Sequence, residues 1–256
     1  MKNIKLLSIT WSYEDKSDYK SSILYKSFVK TNLEKNFINI HFNRNNFKTL
    51  EDEFNIKYGF QYEYILYKIQ LLIDQIKKVE SEYIIYCDTN DVVCLENIEL
   101  IDFPLDDSFI FSKEIHRYPN GESVSNWIPT SIYNDIDQNN KNFLNSGIFF
   151  TKKEIFLGLL ERCIKEVLPL NYTNFGGDQG VYTYFYLNLN QDNLVKLDYN
   201  NDFFLSTYLL SPYNYEKKGS LIHSKFNSKP VYFVHDNGWN YGSPKFINHF
   251  KLYSDE

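Results

Sequence analysis

Glu82-Tyr83-Ile84-Ile85-Tyr86-Cys87-Asp88-Thr89-Asn90-Asp91 is the stretch on which the fold turns. Tyr83 to Cys87 is apolar throughout, too short for a helix and without alternation, the pattern of a strand buried on both faces. Such strands belong to sheets covered on both sides. The run ends abruptly in the polar turn Asp88-Thr89-Asn90-Asp91. In open α/β sheets, ligands bind beyond the carboxyl ends of the strands. Two carboxylates three residues apart on a tight turn can converge on one hard cation. Mg²⁺ and Mn²⁺ take oxygen ligands and bridge protein carboxylates to substrate phosphates. The same residues also suit an Asp-rich turn in which Asp88 caps the backbone. This segment alone leaves both readings open.

Outward from that strand, the periodicities alternate. Ile4–Thr10 reads as an inner strand ending in Trp11-Ser12-Tyr13, and Phe37–Phe42 as a second strand. Helical spacing marks Tyr19–Leu33, and Tyr62–Val79 sets Ile65, Leu66, Ile69, Leu72, Ile73 and Ile76 on one face. Phe109–Ser112 and Phe143–Thr151 read as strands, the latter interrupted at Gly147, and Ser125–Asn142 as a polar loop. Lys153–Val167 is helical, as is the segment from Asp178 to Tyr186. Leu194–Leu197 and Val231–Val234 are late strands, and Pro244–Tyr253 a short terminal helix. Strands alternating with helices predict an α/β sandwich. With no internal repeat and no linker, residues 1–256 are expected to form a single domain.

Composition narrows the function classes. The 256 residues are 43% hydrophobic and 23% charged, enough for a packed core and against general disorder. The net charge of −6 argues against a nucleic-acid surface. No run approaches the roughly 18 apolar residues of a spanning helix. The N-terminal apolar stretch is too short for a signal peptide, so a soluble, cytoplasmic protein is expected. There is no Ala, and Arg occurs only at positions 44, 117 and 162, the bias of an AT-rich genome. Most of the 22 Tyr and 21 Phe are read as core, though some could stack on sugars. Cys87, Cys94 and Cys163 show no paired spacing and are expected to be free thiols.

Three further segments favour a site over a simple turn. Phe143-Leu144-Asn145-Ser146-Gly147 places a glycine where a strand begins, which allows close approach of a ligand. Gly176-Gly177-Asp178-Gln179 opens a helix with a carboxylate, read either as a cap or as a group facing sugar hydroxyls. His235, after a strand and before Asp236-Asn237-Gly238, can supply an imidazole to the same metal.

Taken in order, strand-DxxD, FLNSG, DQ at a helix start and a late HxNG resemble the glycosyltransferase domain of the procollagen lysyl hydroxylases and the wider procollagen sugar transferases. Phe111-Ser112-Lys113-Glu114 matches a further segment of that family. The resemblance spans Leu6 to Gly238 and implies a GT-A-type, Rossmann-like α/β/α sandwich with a mixed central sheet. It implies that Asp88, Asp91 and His235 hold Mn²⁺, or Mg²⁺, against the diphosphate of a UDP-sugar. Thr10 and Trp11 would line the uridine pocket, with Asn90 at the position where the family packs an aromatic on the uracil. Asn237 and Gly238 would meet the diphosphate, and Lys68 would reach the donor. Asn145 and Asp178 would face the sugar, with Glu114 and Gln179 nearby. The chain departs from the family in Asn90, in keeping one carboxylate before Gln179, and in Trp239-Asn240-Tyr241 after HxNG.

The resemblance implies a retaining hexosyltransferase without nucleic-acid partners. UDP-glucose is the favoured donor, and galactosyl-hydroxylysine of a collagen-like chain the leading acceptor. The alternatives are UDP-galactose with hydroxylysine or a surface glycan, an inactive nucleotide-binding relative, and a metal-dependent phosphohydrolase or nucleotidyltransferase. A homodimer is the base-rate expectation.

Overall fold

The computed structural model describes residues 3–12, 18–31, 33–43, 64–106, 108–114, 143–170, 178–190, 193–207, 210–226, 228–237 and 246–252. Ser125–Asn142, Gly176, Gly177, Gly238 and both ends of the expected terminal helix lie outside them.

In chain order the regular elements are β1 (Ile4–Ser12), α1 (Ile23–Lys30), β2 (Phe37–Asn43), α2 (Tyr64–Ile76), β3 (Tyr83–Cys87), β4 (Val92–Cys94), β5 (Phe109–Glu114) and β6 (Phe143–Lys152). There follow α3 (Lys153–Arg162), α4 (Asp178–Asn188), β7 (Val195–Leu197), β8 (Phe204–Ser206), β9 (Tyr215–Lys218), β10 (Leu221–Ser224), β11 (Pro230–Val231), β12 (Phe233–His235) and α5 (Phe246–His249). The central sheet has the order β2-β1-β3-β6-β5-β7. β1 runs parallel to β2 and β3, β6 is antiparallel to β3 and β5, and β7 is parallel to β5. The architecture is therefore an α/β sandwich on a mixed sheet. Two three-stranded sheets, β4-β12-β8 and β11-β10-β9, accompany it.

The two-residue period of the strands divides the core. Leu7, Ile9, Ile84, Tyr86, Phe111 and Phe149 face α2, α3 and α4 on one side. Leu6, Ile85, Cys87, Ile148 and Phe150 face α1 and the β4-β12-β8 sheet on the other. Every residue of β3 is buried, as its unbroken apolar run requires.

Local chemistry explains where the elements depart from the periodicity. The helix expected from Tyr19 begins at Ile23, because Ser22 is extended and its side chain accepts from Tyr25 N. The helix from Lys153 loosens into a π turn over Cys163–Val167, just before Pro169, which has no N–H and crowds the carbonyl four residues back. β6 is continuous through Gly147 and pairs with β3 from Ile148 to Lys152, yet its pairing with β5 jumps from Phe111↔Phe149 to Ser112↔Asn145. The Val231–Val234 strand is split at Tyr232, with β11 in one small sheet and β12 in the other. β4, β8, β9 and β10 are too short or too polar to register as periodic segments. Among the described residues, no helix is long and apolar enough to cross a membrane.

Candidate metal and donor site

The turn after β3 lies at the carboxyl end of the parallel strands, and it is held there by hydrogen bonds. Asp88 N donates to Gly147 O on β6 at 2.8 Å. The Thr89 hydroxyl donates to Ile9 O at 2.7 Å. Having used its hydrogen, it accepts from Ser8 Oγ at 2.5 Å. The turn is thus fastened to both neighbouring strands. It leads into β4, which pairs antiparallel with β12, so that His235 lies opposite Val92. Asp236 N donates to Asp91 O at 2.7 Å and closes the arrangement.

Asp88, Asp91 and His235 thereby converge, with their ligand atoms all within 4.8 Å of one another. His235 Nε2 stands 3.4 Å from Asp91 Oδ1 and 3.9 Å from Asp88 Oδ2. The imidazole is 3% exposed, while the two carboxylates keep 40% and 38% exposure. Two carboxylate oxygens and one imidazole nitrogen form a donor set that could hold a divalent cation, and the partly exposed carboxylates leave one side open.

The electrostatics of the cluster suit a cation. Burial alone would lower the His235 pKa. The carboxylates of Asp91, Asp88 and Glu114 outweigh it and raise the value to about 8. A protonated imidazole thus supplies, within the protein, the positive charge that a bound cation would supply. Burial, then repulsion from Asp91, pushes the Asp88 carboxyl up, against the pull of Lys68 and His235.

Behind His235 runs a buried polar chain. His235 Nδ1 contacts Asn145 Oδ1 at 2.8 Å, and Asn145 Nδ2 donates to Glu114 Oε1 at 2.6 Å. An amide oxygen can only accept, so Nδ1 carries a hydrogen, and Nε2 is the nitrogen that gives up its proton to offer a lone pair to a metal. Asn237 Nδ2 also donates to Glu114 Oε1, and Ser206 Oγ donates to Asn237 Oδ1 at 2.9 Å. Among the described residues, the buried Glu114 Oε2 has no hydrogen-bond partner. Burial raises the Glu114 pKa to about 7, despite the hydrogen bonds from Asn145 and Asn237.

On the other flank, Lys68 Nζ donates to Asp178 Oδ2 at 2.6 Å, with side chains 9% and 14% exposed. The ammonium lies 5.3 Å from the centroid of the Tyr86 ring. Burial opposes its charge, but Asp178, Tyr86 and Asp88 together raise its pKa well above the ordinary value. Ser146 Oγ lies 3.4 Å from Asp178 Oδ1, and Ser146 N 3.4 Å from Gln179 Oε1.

Of the residues read from the sequence, Asp88, Asp91 and His235 come together, Asn145, Glu114 and Asn237 form the chain behind His235, and Lys68 meets Asp178. Asn145 is turned to His235. Gly147 gives close approach to the imidazole of His235, for a Cβ there would come within 2.7 Å of both ring nitrogens. Thr10 donates to Asn39 Oδ1 at 2.6 Å and so ties β1 to β2. Asn90 is exposed at the tip of the turn. Trp11 lies in β1. Tyr86, Ser146 and Ser206 were missed. Tyr86 had a signal: it stands two residues before Asp88, on the same face of an extended segment.

No protein-family model and no curated protein matches the chain. Solved structures with similar backbones include a glycosyltransferase involved in the glycosylation of the major capsid of PBCV-1, at 14% identity and a TM-score of 0.48 over 98% of this chain and 99% of that one. The bifunctional glycosyltransferase WbbM is 11% identical with a TM-score of 0.49, over 95% of this chain and 46% of that one. Mouse xyloside xylosyltransferase 1 is 15% identical with a TM-score of 0.48, over 94% and 99%. At such scores and identities the likeness assigns no activity to this chain.

Proposed function

We propose that this chain is a metal-dependent glycosyltransferase of the GT-A type, moving a hexose from a UDP-sugar to a hydroxyl acceptor. The observation that carries the reading is the convergence of Asp88, Asp91 and His235 at the carboxyl edge of the sheet, beside the buried Lys68–Asp178 pair. That triad would hold a divalent cation, Mn²⁺ in this reading, which would supply Lewis acidity toward the charge developing on the departing diphosphate.

The protein's own residues do the remaining work. Asn145 keeps His235 in the tautomer that presents Nε2. Lys68 pairs with Asp178 at the start of α4, where the helix dipole also favours a negative charge. In this reading Asp178 stabilises the oxocarbenium-like centre, and Gln179 beside it orients the sugar. Asn237, and Gly238 after it, meet the diphosphate. Glu114 and Asn145 line the base of the sugar subsite. Thr10, Trp11 and Asn90 border the nucleoside. A front-face displacement with retention follows the family resemblance, the leaving phosphate oxygen taking the acceptor proton. UDP-glucose is the first donor to test, and galactosyl-hydroxylysine of a collagen-like chain the first acceptor. UDP-galactose is the nearest competing donor.

The test is UDP release from a panel of UDP-sugars with Mn²⁺, with and without EDTA. Metal-dependent release selective for one sugar supports the reading. Nucleotide binding without release would instead fit an inactive relative. Phosphate release without sugar transfer would fit a phosphohydrolase.

A further inference from the structure

Asp88 has two carboxylate oxygens, and the structure treats them differently. Oδ2 faces His235 Nε2 across the cluster at 3.9 Å. Oδ1 accepts a hydrogen bond from the Tyr86 hydroxyl at 3.2 Å. Tyr86 is fixed independently of that bond. Its ring is 2% exposed and stacks on Phe149, with centroids 4.9 Å apart and planes 12° apart. The Lys68 ammonium lies 5.3 Å from the ring centroid and makes its own ion pair with Asp178. The phenol therefore stands between the carboxylate facing the cation site and the buried charge pair of Lys68 and Asp178.

The geometry points to Tyr86 as a positioning residue for the cation: its hydroxyl holds Asp88 Oδ1 so that Oδ2 is the oxygen offered to the metal. It matches, on the carboxylate side, what Asn145 does for His235. Ligating carboxylates depend on such outer hydrogen bonds for orientation and affinity. Without the hydroxyl, Asp88 is free to rotate, and the order it had before binding must be imposed by the metal. The inference rests on the metal reading of the triad and is independent of which sugar or acceptor is used.

Tyr86→Phe is the discriminating variant, because it keeps the ring that packs on Phe149 and removes only the hydroxyl. Mn²⁺ binding would be titrated by electron paramagnetic resonance on wild type, Tyr86→Phe and Asp91→Asn, each checked for cooperative thermal unfolding. The expected result is binding about 10-fold weaker in Tyr86→Phe, with an altered zero-field splitting of the bound Mn²⁺ as Asp88 changes its mode of attachment. Asp91→Asn should lose binding. Wild-type affinity and an unchanged Mn²⁺ spectrum in a folded Tyr86→Phe would overturn the role of Tyr86 and leave the metal site standing. A variant that is less stable but binds Mn²⁺ normally would show a purely structural hydroxyl and also overturn it. Absence of Mn²⁺ binding by wild type would overturn the metal reading itself, and this role with it. If Tyr86→Phe fails to fold, the wild-type Mn²⁺ complex still decides by pulsed proton measurements in H₂O and D₂O. An exchangeable proton coupled more weakly than those of metal-bound water is expected from the Tyr86 hydroxyl, and its absence would overturn the proposal.

Discussion

The imidazole of His235 lies directly against the backbone of Gly147, so closely that any side chain at that position would overlap the ring. The strand that carries Gly147 also accepts Asp88 N. One glycine thus lets β6 receive both the Asp88 turn and the His235 imidazole. Gly147→Ala should displace His235 and weaken Mn²⁺ binding by about 100-fold, readable by titration with Mn²⁺ and by the loss of one nitrogen coupling in the Mn²⁺ spectrum.

Asn145 should act through His235 and not only through packing. Asn145→Ala removes the acceptor for Nδ1–H, and Mn²⁺ affinity should fall about 10- to 100-fold. In a Glu114→Gln background, where no second carboxylate faces it, Asn145→Asp keeps an acceptor at Oδ1 and should recover a large part of the loss. Equal losses in both variants would argue against the tautomer role. Nitrogen chemical shifts of the imidazole report the tautomer directly.

Glu114 is expected to trade stability for position. Its folded pKa, about 7, lies above an ordinary value of 4.5. A carboxyl with a raised folded pKa binds its proton more tightly in the native state, so stability falls as pH rises from 4.5 to 7 and stays low above. The cost at pH 8 is on the order of 3 kcal/mol. Glu114→Gln, measured in EDTA, should therefore unfold several degrees higher than wild type at pH 8 and at nearly the same temperature at pH 4. Sugar transfer should fall roughly 10-fold in the same variant.

Lys68 and Asp178 form a buried pair, and removing one partner strands the other. Lys68→Met should destabilise the fold by about 3–5 kcal/mol, and adding Asp178→Asn should restore a good part of that in a chemical denaturation experiment. Sugar transfer should be lost in both. Recovery of activity in the double variant would contradict the role given to Asp178.

What the sequence revealed, and what it hid, follows from the range of the interactions concerned. The run Tyr83–Cys87 marked a strand buried on both faces, and it is one. Asp88, Asp91 and His235 were chosen from local turn chemistry and order along the chain, and the fold brings them together. The closing of β12 on β4 was not legible, because both strands have three residues and pair across about 140 positions. Nor was the rotation of Asn145 toward His235, which depends on the register jump between β5 and β6. Gly147 announced a close approach, but nothing local said that the approaching group would be an imidazole from another sheet.

In the proposed reading, Asp88, Asp91 and His235 hold a cation against a nucleoside diphosphate. It is tested most directly by calorimetric titration of UDP into the protein with Mn²⁺ and with EDTA, on wild type and Asp91→Asn. UDP binding should require Mn²⁺ and disappear in EDTA and in the variant. UDP binding of equal strength in EDTA, or no UDP binding under any condition, would contradict it.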